Sequence, residues 1–152
     1  MSHQVDERTI EIIKLLSENE SAMARLYGLY STHLSNKDFW RDMEKQERVH
    51  EQWLRALLSS SLDDNEEVYF DPDHFNEIAI KSAINYVSNM INKEATNHNV
   101  LAALSISLSI EQSLIEKEYL SPFSANSPSV NHILSYLQEE TKIHIGLIQD
   151  EI

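Results

Sequence analysis

Residues 43 to 54 read Met-Glu-Lys-Gln-Glu-Arg-Val-His-Glu-Gln-Trp-Leu. Met43, Glu47, His50 and Leu54 recur at alternating steps of four and three, the spacing of one helix face. Trp40 and Leu57 extend that face in both directions, which predicts a helix over about Asp38 to Leu58. Its ends are apolar, but its middle holds a carboxylate and an imidazole. Burying an ionised carboxylate in a dry core is very costly unless something pairs with it. The stretch therefore predicts both a helix packed on others and a polar centre at mid-height.

The same pattern recurs along the chain. A first helix is expected from about Asp6 to Leu34, with Ile13, Leu16, Glu20, Met23, Tyr27, Tyr30 and Leu34 on one seam. Ser35 to Asp38 interrupt it, and Ser35 or Asn36 can cap the next helix. Ser59 to Asp73 is polar and acidic and reads as a connection, with Asp71-Pro72 opening a shorter helix to about Met90. Phe75, Ile78, Ala79, Ala83, Tyr86, Val87 and Met90 lie on one side of that helix. A further long helix starts near Ala95–His98 and ends near Tyr119, with seam Leu101, Leu104, Leu108, Glu111, Ile115 and Glu118. Ser121-Pro122 and Asn126-Ser127-Pro128 separate it from a last helix, about Pro128 to Asp150. The seam there is Val130, Ile133, Leu137, Glu140, His144 and Leu147, flanked by Thr141 and Ile148. The expected fold is all-α. It is an antiparallel four-helix bundle of two hairpins, joined by a long crossover that holds a short extra helix, in a single domain over residues 1–152.

Composition narrows the function classes. Only 2 Gly and 3 Pro in 152 residues favour long helices over turns. A net charge of −13 disfavours nucleic acid and anionic membrane surfaces as partners, since both need basic patches. The absence of Cys excludes disulfides, zinc-thiolate sites and iron–sulfur clusters. No run of about 20 apolar residues spans a membrane, and no basic, apolar leader precedes the first helix. A cytoplasmic protein is expected.

Six side chains interrupt the seams: Glu20, Glu47, His50, Glu111, Glu140 and His144. Glu47 and His50 are three apart and Glu140 and His144 four apart, so each pair can reach one ion from one helix. Each of the six lies near mid-helix, so antiparallel neighbours bring them to one level. Four carboxylates and two imidazoles at one point suit two divalent metal ions. Without metal, carboxylates crowded in a low-dielectric seam are expected to have raised pKa values. His3, His33, His74, His98 and His132 lie off the seams and read as surface residues. Trp40 and Trp53 read as core, with Trp53 placed to dry the centre.

With these residues named, the chain resembles the ferritin-like di-iron carboxylate family, and within it the rubrerythrin and erythrin branch. That fold supplies one Glu from each of two helices and a Glu-x-x-His pair from each of the other two. Glu47-Arg48-Val49-His50 matches the pair. Glu20-Ser21, with Tyr27 seven residues after Glu20, is similar to the first-helix segment, and Glu111 matches the single Glu of the third long helix. Glu140-Thr141-Lys142-Ile143-His144 is one residue longer than the family spacing, with Thr141 where the family's Glu stands. Either Glu140 reaches in from beside it, or the helix bulges, or one metal is held weakly. Leu114 stands where rubrerythrins usually carry a further Glu, and Glu118 is about 10 Å along the axis from Glu111, too far to join. With no Cys in these residues, the rubredoxin domain of full rubrerythrins is not expected among them.

The resemblance implies two iron ions, with manganese as the alternative, and a reaction with peroxide or dioxygen. The residues then serve as metal ligands, with no further catalytic group. An external electron donor is implied as a partner, and a homodimer is compatible. Oxygen and imidazole donors suit iron and manganese better than soft copper. Two other classes remain at this stage. One is a metal-free or metal-degenerate ferritin-like scaffold acting as an interaction or structural protein. The other is iron storage, which needs a shell of subunits.

Overall fold

The computed structural model describes residues 7–63, 77–116 and 128–152, with side chains described for 10–57, 77–114 and 131–152. All five elements are helices: α1 (Glu7–His33), α2 (Lys37–Asp63), α3 (Glu77–Glu94), α4 (Val100–Glu116) and α5 (Pro128–Glu151). No strand occurs among the described residues. The expected caps at Asp71-Pro72 and Ser121-Pro122, the seam residues Phe75, Ile115, Glu118 and Val130, and His3 and His74 lie outside the described side chains.

Three residues separate α1 from α2, so the two helices turn back on each other and share the most extensive helix contact. Leu34, in that turn, is almost wholly buried. Asn36 accepts the Trp40 indole N–H at 2.8 Å and donates to Glu151 at 3.2 Å, which ties the turn to the C-terminal end of α5. The Asn99 carboxamide oxygen accepts the Ala102 backbone N–H at 3.0 Å, an N-cap that satisfies one orphan donor of α4. Before it, Glu94 ends α3 as a buried carboxylate bonded by Tyr30 at 2.5 Å and Asn97 at 3.0 Å. These bonds set the end of α3 beside the end of α1. Helices α1, α3 and α5 thus run one way, and α2 and α4 the other.

The apolar interior is divided in two. One cluster gathers Ile12, Ile13, Leu16, Leu54, Leu57, Ile80, Leu114, Leu134 and Leu137. The other gathers Met23, Leu26, Tyr27, Tyr30, Trp40, Met43, Val87, Leu104 and Ile148. Trp40 lies 4.7 Å from Tyr30 and 5.6 Å from Tyr27 between ring centroids. Between the clusters, at one height, lie the buried polar side chains Ser17, Asn19, Glu20, Glu47, His50, Ser107, Glu111, Thr141 and His144.

The seams expected for the first two helices are buried throughout. Three others differ. In α5 the buried face is Leu134, Leu137, Thr141, His144 and Ile148, whereas Leu147 is 38% exposed. In α4, Leu101 is 58% exposed, and Ala103, Leu104, Ser107, Ile110, Glu111 and Leu114 face inward. In α3, Ile80, Val87 and Glu94 are buried, while Ile78 and Tyr86 face solvent. In α3 and α5 adjacent apolar residues, Tyr86 and Val87 or Leu147 and Ile148, offered two phases and packing selected one, whereas in α4 the expected Leu104 and Glu111 stay buried and Leu101 turns outward. Ile148→Ala should therefore cost about 2–5 kcal/mol of stability by cavity formation, and Leu147→Ala about 1 kcal/mol or less. Urea unfolding of the two variants checks the rotation of α5. Equal losses would contradict it.

Candidate metal centre

The polar layer follows from helix geometry. Glu47 and His50, three apart on α2, stand a turn apart on one face, and α1, α4 and α5 pass that level with Glu20, Glu111 and His144. Glu20, Glu47, His50, Glu111 and His144 are each at most 3% exposed. Two sets of three present donor atoms within 4.8 Å of one another: Glu20, Glu47 and His50, and Glu47, Glu111 and His144. Glu47 belongs to both. His50 Nδ1 lies 3.8 Å from Glu20 and 3.6 Å from Glu47. His144 Nδ1 lies 2.8 Å from Glu47 and 3.4 Å from Glu111. The two imidazoles stack with centroids 5.4 Å apart.

Glu140 is placed differently. Thr141 takes the buried position in its stead, and its hydroxyl donates to the Leu137 carbonyl at 2.8 Å. Glu140 is half-buried at the margin, yet it offers an oxygen to a third set with His50 and His144. All six residues expected from the sequence therefore gather at one level, five inside and Glu140 at the edge. Among the other histidines, His98 and His132 are exposed, and His33 is half-buried with its ring 5.4 Å from His98.

Two contributors escaped the sequence reading. Tyr27 reads as packing, but its hydroxyl donates to Glu111 Oε1 at 2.7 Å. A phenol placed seven residues after Glu20 on the same seam was the available signal. Gln46 Oε1 lies 2.7 Å from His144 Nε2, which leaves Nδ1 facing the carboxylates. Nothing in the local sequence marks Gln46, because the contact joins residues 98 apart.

Burial and close partners set the protonation of the layer. Burial pushes the Glu20 carboxyl up to about 8, with repulsion from Glu47 adding to it. Burial opposes the charge of both imidazoles, but carboxylate partners prevail. Glu20 and Glu47 push His50 up to about 10, and Glu111 and Glu47 push His144 up to about 11. Burial and Glu111 also oppose charge on Glu47, yet hydrogen bonds with Glu20, His144 and His50 hold it below the usual carboxylate value. Burial and then Glu111 raise Tyr27, keeping it a neutral donor. The expected uniform rise of the carboxylates is thus not what the fold produces: Glu20 rises and Glu47 falls, because two imidazolium groups share the layer.

Several buried polar atoms lack a hydrogen bond. Glu47 Oε2 is buried without a hydrogen-bond partner, although its other oxygen meets His144. Asn19 Oδ1 and Ser107 Oγ are likewise unpartnered. Glu47 Oε2 has the His50 imidazole nearby, at 3.6 Å and too far for a hydrogen bond, and a cation shared by the two sets through Glu47 would give it a closer partner. The donor set of carboxylates and imidazoles, with no thiolate, fits iron or manganese. Gln46 and Tyr27 supply the outer bonds that orient such ligands.

No protein-family model matches the chain, and neither the curated proteins nor the solved structures give a match.

The protonation pattern carries a sign. Glu20, His50 and His144 each hold a proton more tightly in the folded chain than in the unfolded one. The metal-free folded chain then binds more protons than the unfolded chain, and stability falls as pH rises. The Glu20 contribution is lost between 4.5 and about 8. The histidine contributions are lost between 6.5 and about 10 for His50 and 6.5 and about 11 for His144. Glu47 acts in the opposite direction, and only below 4.5. The melting temperature of metal-free protein should fall steadily from pH 6 to pH 9. Manganous ion should raise it more at pH 8 than at pH 5.5, since binding displaces those protons. Calorimetry checks both, and a metal-free melting temperature that climbs across this range would contradict the layer as described.

Proposed function

We propose that the chain is a ferritin-like four-helix-bundle protein that holds two iron or manganese ions and reduces peroxide or dioxygen with electrons from an external donor. The observation that carries the reading is Glu47, shared by two three-residue donor sets and left with one buried oxygen that has no hydrogen bond. The resemblance of Glu47-Arg48-Val49-His50 to the family's helical pair supports it. So does the position of Glu20 and Glu111 on two further helices.

Iron or manganese bound there would supply electrons to an oxygen–oxygen bond and take them back from the donor. The chain's own side chains prepare the setting. Glu20, Glu47 and His50 would hold one ion, and Glu47, Glu111 and His144 the other, with Glu140 able to add an oxygen at the margin. The Tyr27 hydroxyl fixes Glu111 Oε1, and Gln46 fixes the His144 ring. Met23, Tyr30, Trp40 and Met43 on one side and Leu54, Leu134 and Leu137 on the other keep bulk water out along the axis. A cavity of about 320 Å³ lined by Gln46, Val49, His50, Trp53, Tyr136 and Glu140 opens the layer between α2 and α5.

A second reading has an observation of its own. The two imidazoles compensate much of the carboxylate charge, so the layer can persist without metal as a purely structural scaffold. Metal content separates the two. Protein reconstituted anaerobically with ferrous ion should hold close to two metals per chain, and Glu47→Gln should lower that to one or none while helix content by circular dichroism is retained. Gln46→Ala and Tyr27→Phe should each weaken metal affinity by about 10–100-fold, as loss of an orienting bond does. Wild-type protein that takes up no metal would select the scaffold.

A further inference from the structure

The route into the layer is asymmetric, and its walls carry information about what enters. The inner cavity of about 320 Å³ reaches His50 and Glu140. A second cavity, of about 420 Å³, lies beside it and is lined by Trp53, Ala56, His132, Ile133 and Tyr136. Trp53 and Tyr136 line both, packed edge to face with centroids 4.5 Å apart. Trp53 also lies 5.7 Å from the His50 ring. The two cavities adjoin at Trp53 and Tyr136 between α2 and α5, so that an aromatic and aliphatic outer chamber stands beside one that holds two of the candidate ligands. A volume of this order is typical of small-molecule sites, about 300–1,000 Å³.

Hydrogen peroxide has no atoms to set against Ile133, Ala56 and the Trp53 ring, and an organic group has. An anion is disfavoured, because Glu140 stands in the inner cavity and the chain carries a net charge of −13. We propose, resting on the peroxide reading above, that the substrate is an uncharged organic hydroperoxide. Its hydrocarbon part lies in the outer chamber against Trp53, Ala56 and Ile133, and its hydroperoxide group reaches His50 and Glu140. The step is R–OOH + 2 e⁻ + 2 H⁺ → R–OH + H₂O. The O–O bond breaks, the peroxide is reduced, and an external one-electron carrier is oxidised twice.

Protein loaded anaerobically with ferrous ion holds the two electrons itself, so one turnover needs no carrier. Cumene hydroperoxide should oxidise the bound ferrous ion about tenfold faster than hydrogen peroxide at equal concentration, the scale on which apolar contacts discriminate. Ala56 is exposed on α2 and is not a candidate ligand, and Ala56→Phe narrows the outer chamber. That variant should lose the advantage of cumene hydroperoxide, so that the ratio of its rate to that of hydrogen peroxide falls to about one. Independently of turnover, the product alcohol 2-phenyl-2-propanol should change tryptophan fluorescence in metal-free wild type and not in Ala56→Phe. Trp40 sits in the opposite cluster, so the change reports Trp53. Hydrogen peroxide reacting as fast as cumene hydroperoxide, or an alcohol that leaves the fluorescence unchanged, overturns the organic substrate and leaves the peroxide reading standing. If neither peroxide oxidises the bound ferrous ion, the peroxide reading falls and this proposal falls with it.

Discussion

Glu47 sits at the centre of the buried polar layer, where hydrogen-bonding partners hold its carboxyl ionised despite its burial. One of its oxygens faces His144 at 2.8 Å, and the other, without a hydrogen bond, lies 3.6 Å from His50. Around it, Glu20, Glu111, His50 and His144 form a polar stratum that splits the apolar interior into two clusters. The helices must keep a common height for this stratum to close, because a slip of one turn would move a carboxylate into leucine and leave an imidazole without its partner. Register is thus specified by the polar layer, and stability by the apolar layers on either side.

That division of labour explains what was legible beforehand. The seams of the first two helices could be read directly, since Leu16, Met23, Trp40 and Leu54 recur at helical spacing, and on α1 the neighbours Leu15, Ala22 and Ala24 are buried as well, so that either phase faces the core. The polar interruptions were equally visible, because Glu20, Glu47, His50, Glu111 and His144 replace apolar residues on those seams. The rotation of α5 was not. Leu147 and Ile148 are adjacent, as are Glu140 and Thr141, and both phases fit the periodicity. Ile148 turns inward into the cluster that holds Met23, Tyr27, Tyr30 and Trp40, which is a long-range fact. Gln46 was invisible for the same reason, since its partner His144 lies on another helix.

The protonation of the layer came out differently from the simplest expectation, and the physical reason is local. Carboxylates alone would all resist ionisation. With two imidazoles between them, proton sharing becomes uneven: Glu20 keeps its proton to about 8, and Glu47 gives its up more readily than an ordinary carboxyl. The same imidazoles are held protonated by the carboxylates, so a metal ion entering the layer replaces protons that already balance part of the charge. Ion uptake and proton release would then be one event, and the affinity of the layer for metal would depend steeply on pH.

The central claim is that two cations occupy the layer through a shared Glu47. Crystals grown with manganous ion and measured for anomalous scattering test it directly. The account predicts two peaks per chain, about 3.5–4 Å apart as in other two-metal sites, one beside Glu20 and His50, one beside Glu111 and His144, with Glu47 between. A layer without anomalous density, or manganese bound only at surface carboxylates, would contradict it.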